Sequence, residues 1–585
     1  MRNPVVLRLV LPCFGAVLWA APLLGTALSA ASLFSAIFWA AAAEGADPPA
    51  PTARNAAQWG QSPARNNVSA AKDLPVQWNV GEFDRKTGAW RKDQVKNVRW
   101  VAKLGGECYS SPVVAGGRVY CGTNNDAAYL ARYPASVDLG CLVCFAQADG
   151  RFLWQHSIEK LKRGQNVDYP KVGLCCSPLV EGDRLWTVTS RGEVVCLDTE
   201  GFADGENDGP FRGETGTGPG DSDVVWSFDM MRELGSVQRY MCGCSVTAAG
   251  DLLLALTGNG RDPTSDKLPA PQAPSFVALD KRTGKLVWAD DSPGENILDG
   301  QWSSPAFAVL GGVPQAIFAG GDGWLYSFEA RASDSPKPKL LWKFDCNPKE
   351  SVWEGSGSGD RNTIISTPVV WEGRVYIATG QDPESGEGQG DLWCIDPTKR
   401  GDTSSQLVLD RGGKPVPPRR LQAVDHQAGE QVRPNPNSAA IWHYRGQASA
   451  GQKPNAGKTP GSKSAASGKD FQNVMHRSLG MPVIADGLLV IGDFSGLVHC
   501  LDAKTGRVHW VHDVLSAIWG SPLAAEGRIY LGDQDGDVLV FALSPKLNIL
   551  AKNAMGDPVY GTPFAAGNVL YVATASRLFA LAADK

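Results

Sequence analysis

The chain has 585 residues, of which 43% are hydrophobic, so disorder as the overall state is excluded and room exists for several domains or one large repeat architecture. Its 56 Lys+Arg against 61 Asp+Glu are mildly acidic and form no basic run, which argues against a nucleic-acid partner. The 66 Gly and 19 Trp suit many short strands joined by tight turns and pinned by aromatic anchors.

The N-terminus reads as an export signal. Arg2 and Arg8 are the only charges before Glu44, residues 9–43 are uncharged and Ala/Leu-rich, and Ala41-Ala42-Ala43 offers a small-residue cleavage site. Residues 1–43 are therefore expected to act as a cleaved signal peptide or, because the run is long, as a retained membrane anchor. Either version places the rest of the chain outside the cytoplasm, in the periplasm or cell envelope. Cys13 sits too early for a lipoprotein acceptor. Residues 44–94 form a leader segment.

From residue 95 onward one phrase recurs: a small residue, Ser/Thr, Pro, an apolar strand, a Gly-containing turn and a second strand. SSPVVAGGRVYCGT from Ser110 is the first of eight copies. The Ser/Thr position falls at Ser111, Ser177, Ser245, Ser304, Thr367, Met481 (where the pattern departs), Ser521 and Thr562. Intervals of 40 to 68 residues fit one four-stranded sheet per copy, except for the gap of 114 before Met481. A third strand and a turn then lead to a fourth strand carrying Trp, as in LVHCLDAKTGRVHW. That column reads Trp154, Trp226, Trp288, Trp342, Trp442 and Trp510, with Leu550 in the seventh copy. The eighth copy ends without a fourth strand, and VRWVAKL with Trp100 supplies one from the N-terminal side. The fold expected is all-β: an eight-bladed β-propeller over residues 95–585, its N-terminal strand closing the last blade and removing exposed sheet edges.

The fifth blade carries a loop insertion at 399–470. Its Pro/Arg/Gly-rich part, 399–437, and its Gly/Ala/Lys/Ser part, 446–469, both read as solvated loop. Deleting 446–469 should leave thermal stability nearly unchanged, because lengthening a surface loop costs only about 0.6 kcal/mol per doubling. A large drop in melting temperature on that deletion would contradict this reading.

Thirteen cysteines in an exported chain suggest disulfides, but the repeat register offers another explanation. Aligned third strands put Cys144, Cys196, Ala278, Ser327, Cys394, Cys500, Ala542 and Ala580 in one small-residue column, which points to packing thiols. Strand alternation sends Cys141 and Cys144 to opposite faces, which weakens a redox or metal reading of that pair. Cys176 shares a column with Ser110, Cys244, Ser303, Ser366, Gly480, Gly520 and Gly561 on the innermost strand, where small groups fit. The adjacent pair Cys175-Cys176 could alternatively close an oxidising ring beside the channel. Tyr109, Trp302, Trp519 and Tyr560 precede the small column as stacking walls or core filler. After the third strand of the second blade, Asp204, Glu206 and Asp208 followed by Gly209 reproduce the first half of a calcium loop. Thr215 replaces its bidentate Glu, and an acidic surface turn explains the residues equally well.

The Ser-Pro opening, Gly-Arg-Val-Tyr hairpin, Leu-Asp turn and Trp strand resemble the PQQ-like β-propeller family over residues 95–585. That family includes quinoprotein alcohol dehydrogenases, which hold pyrroloquinoline quinone and calcium in the channel, and the cofactor-free assembly scaffold BamB. The resemblance implies a BamB-like binding or assembly scaffold in the cell envelope, meeting envelope or secreted proteins through loops on one face of the propeller. The alternative is a PQQ-dependent quinoprotein alcohol dehydrogenase, with Cys175 and Cys176 beside the quinone. Against it, no Cys-x-x-Cys-His haem motif and no recognisable calcium and catalytic-base set occur.

Overall fold

Short Val/Ile/Leu-rich strands separated by Gly-containing turns give eight four-stranded antiparallel blades, sequential in strand order except in the fifth and eighth, in the computed structural model. It describes residues 58–583 apart from 85, 89, 162–167, 263, 332–334, 356–358 and 447–472, all within the unit Asp47–Lys585. The signal or anchor expected at 1–43, and most of the linker expected at 446–469, lie outside these residues. Blades one to seven span residues 113–159, 179–229, 247–290, 306–345, 369–444, 483–513 and 523–554. The eighth joins 564–581 to Val98–Lys103, which pairs antiparallel to Arg577–Leu581 with Trp100 opposite Ala580. The expected closure is therefore present.

The Ser/Thr column fastens each blade to the next. The backbone N–H of Ser111 donates to Ser177 Oγ at 3.0 Å, Ser177 to Ser245 Oγ at 2.9 Å, and Ser245 to Ser304 Oγ at 2.9 Å. Ser304 donates to Thr367 Oγ1, Met481 to Ser521 Oγ, and Ser521 to Thr562 Oγ1. Thr562 N–H donates to Ser111 Oγ at 2.9 Å, so the circuit closes across the chain ends. Met481 has no hydroxyl to offer, and it is the one column position that accepts nothing this way. Each such bond contributes about 1 kcal/mol.

The Trp column makes a second clasp. Trp100 Nε1 donates to Gln147 O, Trp154 to Thr199 O, Trp442 to Ala503 O and Trp510 to Ser544 O, each at 3.0 Å and each to the turn of the next blade. Glycine in that turn has a steric cause: a Cβ on Gly150 would lie 2.5 Å from the Trp100 ring, and one on Gly506 2.7 Å from Trp442. In the seventh blade the register differs from expectation. Val540, not Ala542, holds the third-strand column, and it faces Ala551 instead of Leu550 because the turn between the third and fourth strands is one residue longer than in the sixth blade. The leader compensates there. Trp78 is buried between the seventh and eighth blades, with its N–H on Asn553 Oδ1 and Nε1 on Met555 Sδ.

Residues 399–437 are ordered, contrary to the solvated-loop expectation. Gly401–Asp402 adds a parallel fifth strand to blade four, and Gln406–Leu409 pairs with Gln431–Pro434 over a small core of Val408, Ala423 and Val424. Composition hid this because the apolar residues are few and cluster only when the two strands pair.

One buried charge cluster ties blade five to blade six. Asp493 Oδ2 meets His476 Nδ1 at 3.2 Å and His499 Nε2 at 2.9 Å, and His499 Nδ1 meets Tyr444 Oη at 3.0 Å. Burial raises the Asp493 carboxyl, but the bonds from the two histidines outweigh it and hold the group down at about 2. A depressed folded value means that the stability gained is present above the unfolded carboxyl value and lost as pH falls through about 2. Asp493→Asn should accordingly cost about 2 kcal/mol at neutral pH, measured by urea unfolding, with the deficit shrinking between about pH 4 and pH 2.

Candidate functional site

Three consecutive residues at the start of each blade face three environments, because side chains alternate along an extended strand. Two positions before the Ser/Thr column come Tyr109, Cys175, Gly243, Trp302, Ile365, Leu479, Trp519 and Tyr560, and every one lines the central cavity. The intervening small column turns into the seam between blades. A Cβ on Gly480, Gly520 or Gly561 would come within 2.6–2.7 Å of the next blade's backbone. The Ser/Thr column, Met481 excepted, lines the cavity as well.

The cavity measures about 340 Å³, within the range of small-molecule sites. Trp519, Tyr560 and Tyr109 form one wall, with ring centroids 4.7 to 5.6 Å apart. Tyr169, Tyr240 and Trp302 form a second, with Tyr240 stacked on Trp302 at 6.2 Å and Tyr169 edge-on to Tyr240 at 5.8 Å. These rings are half-buried or exposed walls, not core filler. From the fifth blade a short turn, Pro383–Ser385, carries Glu384 to the second wall, where Tyr169 Oη and Tyr240 Oη each donate to its carboxylate at 3.3 Å. Asp382 caps that turn by accepting from Glu384 N–H at 2.8 Å. Burial, with Asp299 and Glu384 adding to it, pushes the Asp382 carboxyl up to about 6. No Arg, Lys or His is among the lining residues.

The leader closes the other end. Trp59 forms the floor, its Nε1 donating to Thr562 Oγ1 at 3.2 Å. From there the chain passes the first strands in order: Pro63 O accepts from Phe307 N–H, Ala64 O from Val370 N–H and Asn67 O from Ala524 N–H. Arg65 pins this strap. It is fully buried and donates to the carbonyls of Trp59, Ser245, Val246 and Pro305 at 2.6 to 3.0 Å.

Of the residues singled out in the sequence, Cys175 stands in the cavity wall with Sγ 3.5 Å from Met241 Sδ, whereas Cys176 points into the seam toward Cys242 O. Both are free thiols, as are the other ten described cysteines. Cys141 and Cys144 pack into different core clusters, as alternation requires. Asp204, Glu206 and Asp208 are not gathered around one point. Asp204 accepts from Glu206 N–H, and Asp208 pairs with Arg184 at 2.8 Å. Among the described residues no group of three His, Cys, Asp or Glu is disposed to hold a metal ion. Sequence reasoning missed Trp59, Tyr169, Tyr240, Asp382 and Glu384, which come from loops of irregular length outside the repeat.

A family model described as outer membrane protein assembly factor BamB matches residues 455–546, which run through the sixth blade into the seventh. The repeat matched there is of the PQQ-like type. All eight blades follow its pattern, and the chain is a β-propeller. No curated protein matches it. Similar solved structures include BamB from Moraxella catarrhalis, at 12% identity and TM-score 0.45, covering 82% of this chain and 96% of that one. The computationally designed Ika8 protein has 10% identity, TM-score 0.45 and coverage of 83% and 99%. Quinohemoprotein alcohol dehydrogenase from Comamonas testosteroni has 11% identity, TM-score 0.40 and coverage of 92% and 82%.

The cavity of this PQQ-like propeller tests poorly against the quinone. Pyrroloquinoline quinone is a flat tricarboxylate. Aromatic slabs could accept its ring, but Asp382 and Glu384 would face its carboxylates with no cation in the lining to pair them. The residues present do not fit that cofactor with calcium.

Proposed function

We propose that this PQQ-like propeller is an exported binding scaffold of the cell envelope, engaging envelope or secreted proteins through the loops around the open mouth of its channel. The observation that carries this reading is Leu515. It sits in the loop between the sixth and seventh blades, 83% exposed, with a backbone φ of 66°. Left-handed backbone at a branched, non-glycine residue costs about 1 kcal/mol, and nothing in the free chain repays it by burying the side chain. The same set of inter-blade loops carries the aromatic walls, so the mouth presents apolar groups on a rigid ring. Arg2, Arg8 and the uncharged run after them support export. Among the described residues no helix is long and apolar enough to cross a membrane.

A photo-crosslinking amino acid placed at Leu515 should give a defined protein adduct in intact cells, and the protein should fractionate outside the cytoplasm. Cytoplasmic recovery, or no adduct at Leu515, would overturn the proposal. Replacing Cys175 and Cys176 by Ser should be nearly neutral, within about 0.5–1 kcal/mol by thermal denaturation. Ser already fills the seam at Ser110, whose Oγ donates to Cys176 O at 2.9 Å. Dye-linked alcohol dehydrogenase activity that disappears in this variant would favour the quinoprotein reading instead.

A further inference from the structure

We infer that the channel cavity binds an organic ammonium cation with an apolar body, held between the two aromatic walls and beside the Glu384 and Asp382 carboxylates. This goes beyond the scaffold role, which concerns the rim loops and an unrelated partner.

Three features of the cavity select that chemistry. The walls are aromatic faces, whose negative quadrupoles attract cations and whose area rewards methyl or methylene groups. The only charged residues in the lining are acidic, so an anion entering the cavity would meet repulsion. A neutral apolar ligand would strip water from Asp382 and Glu384 without compensating their charge. The nearest cations are already engaged. Arg239 pairs with Asp299 at 2.7 Å and lies 3.9 Å over the Tyr240 ring, Lys160 pairs with Asp168 at 2.8 Å, and Arg65 is buried behind the Trp59 floor. The seat of Arg239 over the Tyr240 ring shows that a ring of this wall accepts a cation. A bare metal ion is disfavoured, since no group of three ligating side chains occurs among the described residues.

Glu384 is the specificity-determining residue in this arrangement. Its two tyrosine partners hold the carboxylate at the second wall, so charge is presented without rotamer search when a ligand arrives.

Calorimetric titration of the purified protein tests this with choline, its neutral carbon isostere 3,3-dimethylbutan-1-ol, and Nα-acetyl-lysine N-methylamide. At least one of the two cations should bind at one site per chain, and the neutral isostere should bind at least ten-fold more weakly. Choline binding assigns a free small cation, whereas binding of the lysine derivative alone assigns a protein side chain as the source. Glu384→Gln should weaken the cation about ten-fold while leaving the isostere unaffected, and Trp519→Leu should weaken both. Melting curves of both variants establish that they fold; if Trp519→Leu does not, the isostere comparison in the parent protein stands alone. Equal binding of choline and its isostere, no saturable binding of either cation, or an unchanged affinity in Glu384→Gln would overturn the inference.

Discussion

Deletion of residues 95–104 is expected to abolish the cooperative native state and leave an aggregation-prone chain. Val98–Lys103 is the outer strand of the eighth blade, and without it Arg577–Leu581 becomes an unpaired apolar edge. The same deletion removes Trp100, whose ring packs against Tyr571 at 6.0 Å and against Gly150, and whose Nε1 clasps Gln147 O of the first blade. Two closures are lost together, one within the blade and one between the chain ends. The milder variant Trp100→Ala should retain the strand and cost about 3–5 kcal/mol, the usual range for truncating a buried Trp. Size-exclusion chromatography of the deletion and urea unfolding of Trp100→Ala provide the measurements. A monomeric deletion variant with a sharp transition would show that the ring does not depend on this strand.

Arg65→Ala should have the second-largest effect, about 3 kcal/mol or more. Burial pushes the guanidinium down to about 10, still far above neutrality, so the group is a cation in the folded protein. Its partners are carbonyl oxygens, and losing it leaves several buried acceptors without a donor at once. The strap should detach locally before the blades unfold. Hydrogen exchange at the Phe307, Val370 and Ala524 amides, which donate to strap carbonyls, should therefore accelerate far more than exchange within the blades. Uniform acceleration across the ring would mean that the strap and the propeller unfold as one unit.

The cavity side chains show where sequence reading ends. Tyr109, Trp302, Trp519 and Tyr560 were visible because they hold a fixed offset from the Ser/Thr column, although the offset alone left open whether they were walls or filler. Alternation within the strand start settled it by sending them to the channel and their neighbours into the seam. Glu384 and Tyr169 had no such marker. They lie far apart in the chain, in loops of different length, and meet only because the ring brings blades two, three and five around one axis.

Amino-acid sequence by itself determined the repeat, the blade number and the closure by Trp100, because each depends on local strand pattern and on side chains repeated at a fixed offset. Tertiary structure alone decided that the leader is a strap across seven blades' worth of first strands, that 399–437 is ordered, and that Cys175 and Cys176 face different environments. Those outcomes rest on non-local contacts: a segment such as residues 58–69, mostly turns with only Val68–Ser69 in a strand, has no core of its own and takes its conformation from the carbonyls and amides of the ring it crosses.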